Sequence, residues 1–93
     1  MDVKQAVEFA KSYVSDLFAN EQIRDVGLEE VEYDEGKAAW LVTVSFVRPS
    51  DQPTMRLAVE LAMNGVRRSY KVVRISDKEK KIVSVKDRQL IAA

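Results

Sequence analysis

The stretch AAWLVTVSFVR, residues 38–48, does most to limit what this chain can become. In an extended chain Trp40, Val42, Val44 and Phe46 fall on one face, and Ala39, Leu41, Thr43, Ser45 and Val47 on the other. A helix would scatter both sets; a strand keeps each together, and a slip of one residue would exchange the faces. The bulkier set is expected to face a core beneath a helix. Pro49 has no N–H to give a ladder and closes the strand. Upstream, Val31 and Tyr33 alternate with acidic residues, and Asp34-Glu35-Gly36-Lys37 supplies a turn whose glycine can take a positive φ. The spacing predicts a hairpin of strands 27–34 and 38–48.

The helix for that core is at the start of the chain. Val3, Ala6, Val7, Ala10, Val14, Leu17 and Phe18 recur at three- and four-residue spacing, widened by Phe9 and Tyr13. Asp2 is placed to cap the first turn, and Asn20 ends the pattern, which predicts a helix over 2–20. The C-terminal third reads as a second hairpin, with strands 67–76 and 81–86 around a turn at 77–80. Residues 53–64 fit two structures. Met55, Leu57, Val59, Leu61 and Met63 alternate as a strand would, while Arg56, Glu60 and Asn64 make a polar stripe at helical spacing. The expected fold is α+β in a single domain spanning residues 1–93. One helix lies across one face of a four- or five-strand antiparallel meander, in the order α-β-β-(α or β)-β-β.

In that order the helix AVEFAKSYV, the hairpin VEYDEGKAAWLVTVSF and the closing YKVVRISDKEKKIVSV resemble small bacterial cystatin-like domains, including the PepSY type. The resemblance implies a fold and a habit of working by binding. PepSY-type domains are commonly exported, whereas no signal sequence is visible here, and the chain departs from the family in two further places. The final turn is Asp77-Lys78-Glu79-Lys80 where PepSY-type domains usually carry a glycine, and the glutamine-valine-glycine inhibitory loop of true cystatins has no counterpart. Protease inhibition is therefore not carried over.

Composition narrows the chemistry. With no histidine and no cysteine, the chain lacks the usual general base near neutral pH, a thiol nucleophile and the commonest metal ligands. Three scattered glycines cannot build a phosphate loop. Glu60, between Val59 and Leu61, is the one carboxylate in an apolar neighbourhood, and surface pairing with Arg56 accounts for it. The acidic run Glu29, Glu30, Glu32, Asp34 and Glu35 lacks the spacing of a calcium loop and reads as a solvated strand edge. No catalytic residue, cofactor or metal is expected. The opening MDVKQAVEFAKSYV has no basic segment followed by an apolar one, and no apolar run nears the roughly 20 residues of a membrane span. A cytoplasmic address with no membrane contact is expected.

The net charge of zero conceals an imbalance. Residues 1–47 carry 4 basic and 10 acidic side chains, and residues 48–93 carry 11 and 5. The run RRSYKVVR at 67–74 raises the question of nucleic acid. Strand alternation separates Arg68, Tyr70, Val72 and Arg74 from Arg67, Ser69, Lys71 and Val73, and only one aromatic is interleaved. Nucleic-acid binding through this basic half is the least favoured reading. A lone helix covers one face of a sheet, so the other face is expected to meet a protein partner, either a second copy or another chain. That surface would comprise Leu41, Thr43 and Val47, joined by Val73 and Ile75 provided that Tyr70 and Val72 face the helix, with Arg67 and Lys71 on its rim. The alternative is a small-ligand site or enzyme pocket between helix and sheet, near Tyr13, Tyr33 and Trp40.

Overall fold

The computed structural model describes residues 1–48 and 68–88. Asp2 opens the helix through a reciprocal cap: its carboxylate accepts from the Gln5 N–H at 2.8 Å, and the Gln5 side chain accepts from the Asp2 N–H at 2.9 Å. Helix α1 runs Val3–Leu17. It ends three residues short of the sequence reading, because Ala19–Glu21 tighten into a 3₁₀ turn and Gln22 takes a left-handed φ of 53°. The chain then turns back as β1, Arg24–Asp34, followed by β2, Ala39–Val47. After residues 49–67 come β3, Ser69–Ser76, and β4, Lys81–Asp87.

The four strands form one antiparallel sheet in the order β1-β2-β3-β4, which with α1 makes an α+β fold. The expected element at 53–64, helix or strand, lies outside the described residues.

Register assigns the faces. Trp40 pairs with Tyr33 and Ile75, Val42 with Val31 and Val73, and Val44 with Leu28 and Lys71. These residues look towards α1, whose Ala6, Ala10 and Val14 are fully buried against Val42, Val44, Phe46, Val73 and Ile75. Alanine at two of the three buried helical positions brings the rod close to the sheet, so the valines and Phe46 supply the apolar volume. Each fully buried aliphatic or phenyl group there contributes about 1.5–3 kcal/mol. The helix lies mainly over β1 and β2 and less over β3.

β1 begins three residues earlier than alternation alone suggests and is irregular. Its register shifts between Arg24 and Gly27 and again between Leu28 and Glu30, and Asp25 has a φ of 56°. The second shift places Glu29 as an extra residue. Leu28 and Val31, an odd number of residues apart, thereby look to the same side.

Candidate functional site

The structure does not assemble the apolar surface expected from the sequence. Val73 and Ile75 are fully buried under α1, and it is Arg68, Tyr70, Val72 and Arg74 that share the far face with Leu41, Thr43 and Ser45. The condition that Tyr70 and Val72 face the helix fails. Lys71 is on the helix side too, its ammonium 5.5 Å from the Phe18 ring and bonded to the Asp87 carboxylate. Arg67 lies outside the described residues. Leu41, Thr43 and Val47 do occupy the far face, but only Leu41 is partly open: Thr43 and Val47 are 5% exposed and Ser45 is 0%. The middle strand is therefore buried on both sides along this stretch.

Part of that cover is a polar clasp. Ser45 Oγ donates to Glu29 Oε1 at 3.0 Å and accepts from Arg68 Nε at 2.8 Å. Arg68 also donates to the Ser45 carbonyl at 3.2 Å and to the Asp25 carbonyl, joining β1, β2 and the start of β3. Every partner in this group is engaged, as a structural network requires.

The aromatic residues proposed for a ligand pocket meet only in part. Tyr33 and Trp40 stack edge to face with centroids 4.9 Å apart, and both donate to Asp77 at 3.4 Å. Partial loss of water and then the Asp77 carboxylate hold the Tyr33 phenol above its usual value. Neither ring, nor Tyr13, lines the two concavities described next.

The first concavity is a groove of about 430 Å³ between α1 and β1, walled by Val3, Val7, Leu28 and Val31 and edged by Lys4 and Glu8. Val3 and Leu28 are 45% and 44% exposed. Among the described residues β1 pairs only with β2, and none of them pairs with its outer edge, which runs alongside this groove. From Glu30 to Asp34 the pairing is regular. Along this stretch Val31 and Tyr33 face the helix side, while Glu30 and Glu32, paired with Thr43 and Leu41, stand on the far face. The second concavity, about 610 Å³, is at the opposite side of the sheet, and its lining includes Lys37 from the β1–β2 turn, Arg74 from β3 and Lys81 and Lys86 from β4.

Among the described residues no group of three or more carboxylates is placed to hold a metal ion, and no helix is long and apolar enough to cross a membrane. One ion pair predicts a pH response. The hydrogen bond from Lys71, then its charge, and lastly the charge of Arg48 hold the Asp87 carboxyl below its usual 3.8. A carboxyl lowered in the folded state stabilises fully above its unfolded value, and that contribution is lost as pH falls through the lowered one. Urea midpoints measured from about pH 5 down to about pH 2 should therefore decline, and Asp87→Asn should flatten part of the decline.

No family model, curated protein or solved structure matches the chain.

Proposed function

We propose that the protein is a non-catalytic interaction module that captures an extended segment of a partner protein along the free edge of β1. The observation that carries this reading is the apolar groove of Val3, Val7, Leu28 and Val31 directly beside a strand edge that no described residue pairs with. An added strand would take main-chain hydrogen bonds from Glu30–Asp34, the mode of recognition known as β-augmentation. Its alternate side chains would enter the groove, where each well-buried aliphatic group gains about 1.5–3 kcal/mol before ordering costs. The side chains between them would stand next to Glu30 and Glu32 on the far face, where lysine or arginine is favoured by about 0.2–1 kcal/mol per pair. The partner segment thus alternates apolar and basic residues.

A cystatin-like assignment agrees with one helix across an antiparallel meander. The partner is another chain or a second copy of this one. In light scattering across a dilution series, self-capture would appear as a mass that falls with concentration.

The direct test uses a capped octapeptide of alternating valine and lysine, with a scrambled peptide of the same composition as control, followed by amide NMR shifts. Shifts should cluster on Glu30–Asp34 and on the Val3–Val7 turn, with a Kd on the order of 10–100 µM. Leu28→Glu and the pair Glu30→Lys with Glu32→Lys should each weaken binding about tenfold or more. Equal binding of the scrambled peptide, or shifts centred on β4, would overturn the reading.

A further inference from the structure

The second concavity has a composition that the capture of a strand at β1 does not use. It lies on the far face, at the end of the sheet where the β1–β2 and β3–β4 turns come together. Ala39, Ser76 and Lys81 form the last row across this end, so Lys37 from the β1–β2 turn and Lys81 from the start of β4 approach the same space. Arg74 and Lys86 line it from within β3 and β4.

Four cations therefore ring one hollow, against a single lining carboxylate, Glu79. Glu79 is already committed, 2.7 Å from Lys81. Among the described residues, the side chains of Lys37, Arg74 and Lys86 have no carboxylate within ion-pair distance. Clustered like charges repel, and a protein relieves them by pairing or by spreading them apart. Here strand register holds Arg74, Lys81 and Lys86 in place. Arg74 is half-buried between Leu41 and Ser84 in the register, so its guanidinium is carried on the sheet and not on a loose tip.

Two hydroxyls complete the lining. Ser76 Oγ accepts from the Glu79 N–H at 3.1 Å, which leaves its own proton available, and Ser84 sits opposite Arg74. The hollow thus offers a forked donor, three ammonium groups and two hydroxyl donors, with no aromatic ring on which a base could stack.

We infer that this hollow binds an anion carrying several phosphate groups. A phosphate presents several acceptor oxygens on one atom, which suits the arginine fork together with serine hydroxyls. The hollow, about 610 Å³ and open to solvent, leaves room for more than one phosphate group. The absence of an aromatic platform means that the phosphates themselves are read, whether they belong to a free oligophosphate or to a nucleic-acid backbone.

Calorimetry at about 0.1 M salt, where the screening length is about 10 Å, separates these sources and tests the site. The probes are inorganic tripolyphosphate, a thymidine octanucleotide and an octaglutamate peptide. Tripolyphosphate or the oligonucleotide should bind, with amide shifts at Ser76 and Ser84, and the tighter of the two identifies the source. Arg74→Gln with Lys86→Gln should weaken that binding about tenfold or more. Lys37→Gln with Lys86→Gln, both at exposed positions, provides a second variant whose folding is secure and whose binding should also fall several-fold. Failure of both phosphate probes, unchanged affinity in the folded variants, or equal binding of octaglutamate would overturn the inference.

Discussion

Phe46→Ala should destabilise the protein by about 3–5 kcal/mol, the cost of emptying a phenyl-sized space in a core that relaxes only in part. Phe46 is fully buried on β2, and its ring centroid is 5.2 Å from that of Phe18, the residue that ends α1. The guanidinium of Arg48 lies 5.3 Å from Phe46 and 5.1 Å from Phe18, and the Lys71 ammonium approaches Phe18 from elsewhere. Cation–ring contacts of this kind are worth about 0.5–2 kcal/mol each, depending on how dry they are. Arg48 Nε is inaccessible and has no hydrogen-bond partner, so its attachment here is to the rings and, at 3.6 Å, to Glu21. Removing one ring therefore costs packing volume and loosens the cation that rests on it. For a domain of this size a loss of that order takes a large share of a total stability of about 5–15 kcal/mol. Urea unfolding should show a lower midpoint with an unchanged slope, and Phe46→Leu should cost much less because it keeps most of the volume.

Val73→Asp should prevent folding altogether. Val73 is fully buried on β3, paired with Val42 on one side and Val85 on the other, beneath α1. None of these neighbours can donate a hydrogen bond, so the carboxyl would have to be buried unpaired or pulled out of the core. Val83→Asp makes the same chemical change ten residues along the same hairpin. Val83 is 55% exposed at the β4 irregularity, and its substitution should alter stability by no more than about 0.5 kcal/mol. Circular dichroism and urea unfolding of the two variants would show the contrast. A folded Val73→Asp protein would mean that β3 presents its other face to the helix.

That question of facing is where sequence reasoning went wrong, and the cause is specific. In β2 the two faces differ in bulk from Trp40 to Phe46, so the side turned to the helix is legible from the residues alone. In β3, Tyr70 and Val72 compete with Val73 and Ile75, and the adjacent valines suit either phase. Only the pairing of Val42 with Val73 decides between them. The helix was legible because its stripe has a single phase and Asp2 caps it, although nothing in Ala19-Asn20-Glu21 announced the 3₁₀ turn that cuts it short. Both candidate sites escaped for a related reason. Leu28 joins Val31 in the groove because Glu29 is an added residue, and among three clustered glutamates no letter marks it as such. Lys37 and Lys81 are 44 positions apart and meet because two turns end the sheet on one side.

The extra residue at Glu29 also acts as a ruler. It stops regular pairing at Glu30, and the turn beginning at Glu35 stops it at the other end, leaving five residues of usable edge. At about 3.4 Å per residue that is about 17 Å of template. A visiting chain can keep step for that distance and no further, because beyond it the donors and acceptors of β1 fall out of phase with its own. In the proposed capture the edge would therefore set the length of the segment as well as its pattern, and so short a template would not sustain the open-ended zippering by which longer bare strands turn monomers into fibres.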